Sequence, residues 1–281
     1  MSTVINTNIK SLMASNALTQ NGQVQRNVME SLSTGKRINR ASDDAAGLSI
    51  RETMTSQING LNAAVRNAND GISLLQTADG ALNETSNMMQ RMRELATLSR
   101  TDTYSSVQKT ALNDEYVQLA SEIDRIANKT QWNGMNILTG SGGPLASTTA
   151  AFNFQIGANA GDSYDVVISN MATSALGIAS GTTQIDSAAG ASAAISLIDL
   201  ALSQLNAQRS TIGSAVNRLT HAVDNLTNIS QNTSESRSKV EDTDYASATS
   251  ELARTQIIQQ AATAILAQAN QQPQSVLSLL K

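Results

Sequence analysis

The residues in this sequence that could do chemistry are few, and their spacing decides what they can do. Asp43 and Asp44 are adjacent carboxylates. Such a pair could serve as general acid and base, or hold a metal. The same two residues stand directly before a helical pattern that begins near Ala45. There Ser42 or Asp43 acts as the N-cap and the acids favour the positive helix end, which is the stronger reading. His221 is the one histidine and falls on an outward helix position. A single histidine leaves no material for a histidine triad or a metal cluster. The chain has no cysteine, which removes disulfides, thiolate metal sites and cysteine nucleophiles. Gly140-Ser141-Gly142-Gly143-Pro144 has the glycines of a phosphate loop, but no Lys-Ser/Thr follows. It reads as a flexible loop. Triplets such as Asn228-Ile229-Ser230 are expected by chance in a chain rich in Asn, Ser and Thr. The expectation is no catalytic residue, no metal site and no cofactor.

Composition points the same way. Hydrophobic residues make up 40%, charged residues 15% and aromatics only 2% of 281 residues. Large rings carry much of a globular core's apolar area. So few of them argue for an elongated body with a thin aliphatic core. The net charge of −4 argues against nucleic acid as the main partner. No apolar run approaches the roughly 18 to 20 residues that span a bilayer, so no membrane insertion is expected. Residues Met1 to Asn8 lack the apolar core of a secretory leader. That predicts a cytoplasmic chain, or one exported without a cleaved leader.

The elements follow from periodicity. Only Pro144 and Pro273 occur, so helices can run long. From Ile58 to Ala96 a heptad register holds. One seam carries Ile58, Val65, Ile72, Asp79, Ser86 and Arg93; the other carries Leu61, Ala68, Leu75, Leu82, Met89 and Ala96. At about 1.5 Å per residue this is a rod of roughly 58 Å. A second helix spans about 105–128, with Leu112, Tyr116, Leu119, Ile123 and Ile126 on its stripe, and Gln131-Trp132-Asn133-Gly134 ends it as a turn. A third register carries Ile198, Leu205, Ile212, Leu219 and Leu226 on one seam. Its other seam holds Leu202, Arg209, Val216, Val223 and Ser230. The matched rods predict antiparallel packing with the middle of the chain as the turn-around. Residues 140–194 are rich in Gly, Ser, Thr and Ala. Within them, Phe152 to Ile156 and Tyr164 to Ile168 flank Gly157-Ala158-Asn159-Ala160-Gly161, which is a hairpin signal. The predicted fold is therefore mainly α: a long antiparallel helical bundle or coiled coil of paired N- and C-terminal segments, with a small β-hairpin region.

The outermost segments are weaker helices. Residues 4–32 place Ile5, Ile9, Leu12, Val24, Val28 and Leu32 on a rough stripe; 245–271 place Leu252, Ile258, Ala262, Ile265 and Ala269 on another. Neither buries enough apolar area to offset an ordering cost of roughly 1 to 2 kcal/mol per residue. They are expected to be disordered in a free subunit and to fold on assembly. Asp79, Ser86, Arg93 and Arg209 interrupt the seams, either as tolerated edge positions or as register-setting groups. Met88, Arg91, Leu95 and Leu98 are placed on an outward face of the first rod. Apolar groups rimmed by charge there suggest a partner surface.

Taken in order, these motifs closely resemble bacterial flagellin over most of the chain. The N-terminal match includes Ile5-Asn6-Thr7-Asn8, Leu32 to Asn39, Ala41 to Leu48, Asn69 to Ser73 and Gln90 to Ala96. The C-terminal match includes Glu241 to Ala246, Leu266 to Gln271 and Val276 to Leu280, while Gln155 to Asn159 is similar to the family's hairpin. The resemblance implies a structural, non-enzymatic filament subunit of short form, without outer variable domains. It implies an inner coiled-coil domain from 1–42 and 245–281, and a rod-like domain from 43–244 with the hairpin insert at about 140–194. Terminal packing between subunits would use Ile5, Ile9, Leu12, Val28, Leu32, Leu252, Ile258, Ile265, Leu266, Val276, Leu277, Leu279 and Leu280. The implied partners are copies of itself, the flagellar type III export apparatus, an export chaperone, the distal filament cap and hook–filament junction proteins. A further implied partner is the host Toll-like flagellin receptor, at Arg91, Leu95 and Glu115, although Met92 and Thr97 depart from receptor-active sequences. The implied location is the extracellular filament. The competing reading is a hook–filament junction protein of the same family or another coiled-coil binding module.

Overall fold

The computed structural model describes residues 7–140, 150–179 and 183–278, with side chains described as far as Gln271. Helices α1 (Ile9–Thr34), α2 (Ala45–Ser99) and α3 (Ser106–Lys129) come first. Strands β1 (Gln131–Trp132), β2 (Met135–Asn136), β3 (Ala150–Gln155) and β4 (Ser163–Ile168) follow, then helices α4 (Thr173–Leu176), α5 (Ala188–Glu241) and α6 (Tyr245–Ser278). By packing, the chain divides into two units: Met1–Ile58 with Gln231–Lys281, and Asn59–Ser230. Both boundaries fall inside the 43–244 segment expected to form the rod. Helices α2 and α5 each supply residues to both units.

In the unit Asn59–Ser230, α2 and α5 run antiparallel. Asn62 meets Ser230, Asp79 meets Arg209 and Asp199 meets Arg93. The buried positions of α2 step alternately by three and four: Leu61, Ala64, Ala68, Gly71, Leu75, Ala78, Leu82, Thr85, Met89, Met92, Ala96 and Ser99. On α5 the steps are Ala191, Ala194, Ile198, Ala201, Leu205, Gln208, Ile212, Ala215 and Leu219. One predicted seam of each helix is therefore the real one, and the other is not. Val65, Ile72, Leu202, Val216 and Val223 flank the core half-buried, and Arg93 is exposed. The second seam is built from small residues, which let the helix backbones approach closely. Of the polar interruptions, Arg209 pairs with Asp79 at 2.9 Å and Arg93 pairs with Asp199 at 2.6 Å, while Ser86 is buried. The Arg93 hydrogen bond holds the Asp199 carboxyl below its ordinary range. A depressed carboxylate contributes above its unfolded value and loses that contribution as pH falls through its folded one.

Helix α3 is capped by a reciprocal Ser105–Gln108 box and buries Tyr116, Ala120, Ile123 and Ala127. Its polar side chains fix the chain leading into α5. Asp124 accepts from Thr173 N at 2.8 Å and Thr173 Oγ1 at 2.6 Å, and Asn113 accepts from Ile185 N at 2.9 Å. Buried Tyr116 donates to Thr183 at 3.2 Å. The Asn133-Gly134 turn does more than end α3. Both residues have positive φ, 48° and 78°, and they close the two-residue hairpin β1–β2.

The larger hairpin β3–β4 pairs Phe152 with Val166 and Phe154 with Tyr164. Phe152, Val166 and Ile168 face the core while Val167 faces out. The hairpin lies on α2 where side chains are missing. A Cβ on Gly60 would meet Ala158 at 3.1 Å, and one on Gly71 would meet the Phe154 ring at 2.9 Å. From the other side, buried Gln208 of α5 donates to Val167 O at 3.0 Å and accepts from Ser169 N at 3.3 Å. Arg218 stacks over Tyr164 at 4.3 Å.

One sequence expectation needs correction here. Helix α5 does contain a stretch long and apolar enough to cross a membrane, at a mean hydropathy of 1.4. Within that stretch Ile198 and Leu205 are fully buried in the unit, while Leu200 is 54% exposed.

The glycines on α2 generate a paired prediction. Gly71→Ala gains helix propensity but must displace the Phe154 ring, so it should destabilise the protein by about 1 kcal/mol net. Gly80→Ala meets nothing within 4 Å. It should stabilise by about 0.5 to 1 kcal/mol. Urea unfolding followed by circular dichroism checks both signs.

Candidate functional site

The unit formed by 1–58 and 231–281 is organised around α1 and α6. Asn8 caps α1 by accepting from Ser11 N, and Gly35 ends it with a φ of 72°. The two helices pack antiparallel. Asn21 donates to Thr255 O at 2.8 Å, Ser11 bonds Asn270 at 2.8 Å, and Asn8 donates to Ala269 O at 2.8 Å. The half-buried stripe of α1 is Ser11, Ala14, Leu18, Asn21, Gln25, Val28 and Leu32. Facing it on α6 are Ala248, Leu252, Thr255, Ala262, Leu266 and Ala269. This seam interrupts Leu18, Val28, Leu32, Leu252 and Leu266 with small and polar groups. No residue of α1 is fully buried.

Several other large apolar side chains point outward. Ile9, Leu12, Met13 and Ile265 are 59%, 61%, 67% and 59% exposed, and Ile257 is 67% exposed. Val24, Met29 and Ile258 are also exposed. The residues predicted to pack the termini thus fall into two groups. Val28, Leu32, Leu252 and Leu266 serve the α1–α6 seam, while Ile9, Leu12, Ile258 and Ile265 face outward. Ile5, Leu279 and Leu280, and the side chains of Val276 and Leu277, lie outside the described residues. Sequence reasoning missed Met13 and Ile257. The adjacent pair Ile257-Ile258 was the available signal, since neighbours on a helix cannot share one narrow stripe.

At the other end of α1 the chain segments 35–38 and 241–243 pair. Arg37 N donates to Glu241 O at 2.7 Å, Thr243 N donates to Gly35 O at 2.9 Å, and Lys36 bridges Asp242. Ile38 is fully buried beside them. The Glu241 carboxylate is 8% exposed and meets three cations: Lys36 at 2.5 Å, Arg51 at 3.7 Å and Arg237 at 3.9 Å. Asp43 and Asp44 serve this region as turn-makers. Asp44, not Ser42 or Asp43, caps α2 by accepting from Gly47 N at 2.8 Å. Asp43 closes the preceding loop by accepting from Arg40 N at 2.9 Å and Asn39 N at 3.2 Å. Among the described residues no group of three or more His, Cys, Asp or Glu is placed to hold a metal.

The predicted outward face of α2 is only partly outward. Arg91 is exposed and bonds Glu115 at 3.0 Å and Glu94 at 3.1 Å. The Glu115 hydrogen bond, then that of Glu94, raises the Arg91 guanidinium above its ordinary value. Leu95 is fully buried in the core, and Met88 is half-buried. Helix α3 lies against this part of α2, as the Arg91–Glu115 pair shows, so the face was never free. Arg91 and Leu98, the latter 40% exposed, keep the expected position.

Comparison with known proteins gives one answer. Residues 5–142 match the bacterial flagellin N-terminal helical region, and residues 195–280 match the bacterial flagellin C-terminal helical region. The chain is 43% identical to flagellin of Halalkalibacterium halodurans over 99% of its own length and all of that protein. It is 41% identical to flagellin of Bacillus subtilis, covering 99% of each chain. The crystal structure of Bacillus cereus flagellin superposes with a TM-score of 0.50 at 34% identity, over 57% of this chain and 88% of that one.

The Glu241 cluster generates a prediction. Glu241→Gln leaves three cations without their shared carboxylate. Because Lys36 is half exposed, the cost should be at the low end for a broken buried pair, about 3 kcal/mol. Thermal unfolding should show an early transition, and hydrogen exchange should place the loss in residues 35–51 and 237–243.

Proposed function

The chain belongs to the bacterial flagellin family, a family of structural proteins, and from that premise we propose how its geometry builds a filament. It is a structural subunit of the bacterial flagellar filament. The observation that carries the mechanism is the inverted layout of α1 and α6. Their shared seam interrupts the half-buried Leu18, Val28, Leu32, Leu252 and Leu266 with small and polar groups, while Ile9, Leu12, Met13, Ile257 and Ile265 are exposed. A patch of that kind is stable only when covered. In this reading the cover is the same pair of helices in neighbouring copies, and a helical array supplies it to every subunit. The terminal helices are then weakly ordered in the free subunit and gain their stability on assembly.

The remaining partners follow from the same assignment. The subunit leaves the cell unfolded through the flagellar type III apparatus. An export chaperone holds the C-terminal segment beforehand, and growth proceeds beneath a distal cap from hook–filament junction proteins. The chain acts without catalysis. Arg91 and Glu115 are assigned as the exposed pair of a host-receptor and inter-subunit surface. Leu95 supports that surface from beneath rather than touching a partner in the packed subunit.

Electron microscopy after seeding tests the mechanism. Full-length protein should form long tubular filaments, and a chain lacking residues 245–281 should form none. Unchanged polymerisation of the shortened chain contradicts the reading.

A further inference from the structure

Arg237, near the end of α5, is a poorly compensated charge. Its side chain is only 33% exposed, and the nearest carboxylate, Glu241, stands 3.9 Å from its Nε. Its one hydrogen bond, donated to Thr55 Oγ1, is 3.4 Å long. Arginines that are as buried elsewhere hold a carboxylate closely. Arg51, 18% exposed, has Glu52 at 2.6 Å, and Arg209, 32% exposed, has Asp79 at 2.9 Å. Taking a charge out of water without a close partner is costly.

Arg237 also lines a cleft of about 310 Å³, together with Lys36, Arg51, Thr55 and Ser234. A water molecule takes roughly 30 Å³ in the liquid, so the cleft has room for a tetrahedral ion with part of its hydration shell. Glu52, Glu241 and Asp242 line it as well. Each of them is already engaged: Glu52 by Arg51, Glu241 by Lys36 and Asp242 by the Ser238 hydroxyl. The guanidinium of Arg237 is the charged group of the lining that no close partner answers.

We propose that this cleft binds a doubly charged tetrahedral oxyanion, with inorganic phosphate as its simplest form. A planar guanidinium offers two parallel N–H groups to two oxygens of one such ion. The ion gives Arg237 the short charge-assisted bonds it lacks. Arg51 and Lys36 add positive charge from two other segments, and Thr55 and Ser234 add hydroxyl groups. The lining carries three cations against three carboxylates, so binding is modest and falls in the millimolar range. Chloride has no pair of oxygens to offer the fork and binds more weakly. The bound ion joins the turn after α1, the first turns of α2 and the last turns of α5. It therefore stabilises their junction in proportion to its occupancy. The proposal stands on this geometry and does not depend on the filament reading.

The test titrates inorganic phosphate into the full chain at constant ionic strength, balanced with sodium chloride so that general screening is fixed. Phosphorus NMR reads binding, and thermal unfolding reads its effect on the fold. Four proteins are compared: wild type, Arg237→Gln, Ser234→Asp and Arg66→Gln. Arg66 is exposed on α2 and does not line the cleft. Ser234→Asp places a negative charge in the cleft without removing any ion pair. Wild type and Arg66→Gln should bind phosphate saturably and unfold at higher temperature as it is added. Arg237→Gln and Ser234→Asp should each bind about tenfold more weakly or worse. Absence of saturable phosphate binding by wild type overturns the proposal. So does binding by Ser234→Asp that matches wild type, a result that holds even if Arg237→Gln fails to fold. Equal weakening in Arg66→Gln and Arg237→Gln also overturns it, since net charge alone would then explain the binding.

Discussion

The constraint on which the rest of this structure depends is the poverty of the α1–α6 seam. Two antiparallel helices normally place their largest apolar side chains between them, because burial is what holds them together. Here Leu18, Val28 and Leu32 of α1 and Leu252 and Leu266 of α6 are only half-buried, and Ser11, Ala14, Asn21 and Gln25 against Ala248, Thr255 and Ala262 make up much of the contact. A few side-chain hydrogen bonds hold it, such as Asn21 to Thr255 O. Each is worth about 1 kcal/mol net. Isoleucines 9, 257 and 265 are left outside. In the proposed filament that outer surface is covered by neighbouring copies.

The unit 59–230 shows the opposite economy. Its seams put Leu, Ile, Met and Ala on the inside, and several of its polar groups are paired across the packing. Asp79 faces Arg209, Gln208 replaces a strand neighbour for β4, and Asp124 caps α4. The Glu241 cluster adds order of another kind. It anchors the turn after α1 and the end of α5 in one place, with Tyr245 close against Gly35. The same carboxylate can therefore control how α1 and α6 leave that point.

Much of the fold was legible in the sequence because long heptads and the 152–168 hairpin signal are strong. What misled was residue size. The true second seams use Ala64, Gly71, Ala78, Ala194, Ala201 and Ala215. Such residues score weakly as apolar, so Val65, Ile72, Leu202 and Val216 drew the stripe to the flank. Leu95 was misplaced for a related reason. A helix contacting α3 as well as α5 has two buried faces, and a two-seam register recognises only one. The cap at Asp44 rather than Asp43 was decided by the loop at 39–43, which claims the Asp43 carboxylate for itself. The split of the terminal residues into seam and outer face was not legible. It depends on which face α6 presents to α1, and a seam interrupted by Ser11, Asn21, Gln25 and Thr255 leaves only a broken hydrophobic period to read.

Hydrogen exchange followed by mass spectrometry, on the free subunit and on the filament, tests the central claim most directly. If copies of the chain cover the outer faces of α1 and α6, amides of residues 9–34 and 245–271 should exchange fast in the free subunit. In the filament they should slow by at least about a hundredfold, the scale of local opening against a packed core. Amides in the seams of the 59–230 unit should be protected in both states. Protection of the terminal helices that is already strong in the free subunit, and unchanged by assembly, would contradict the account.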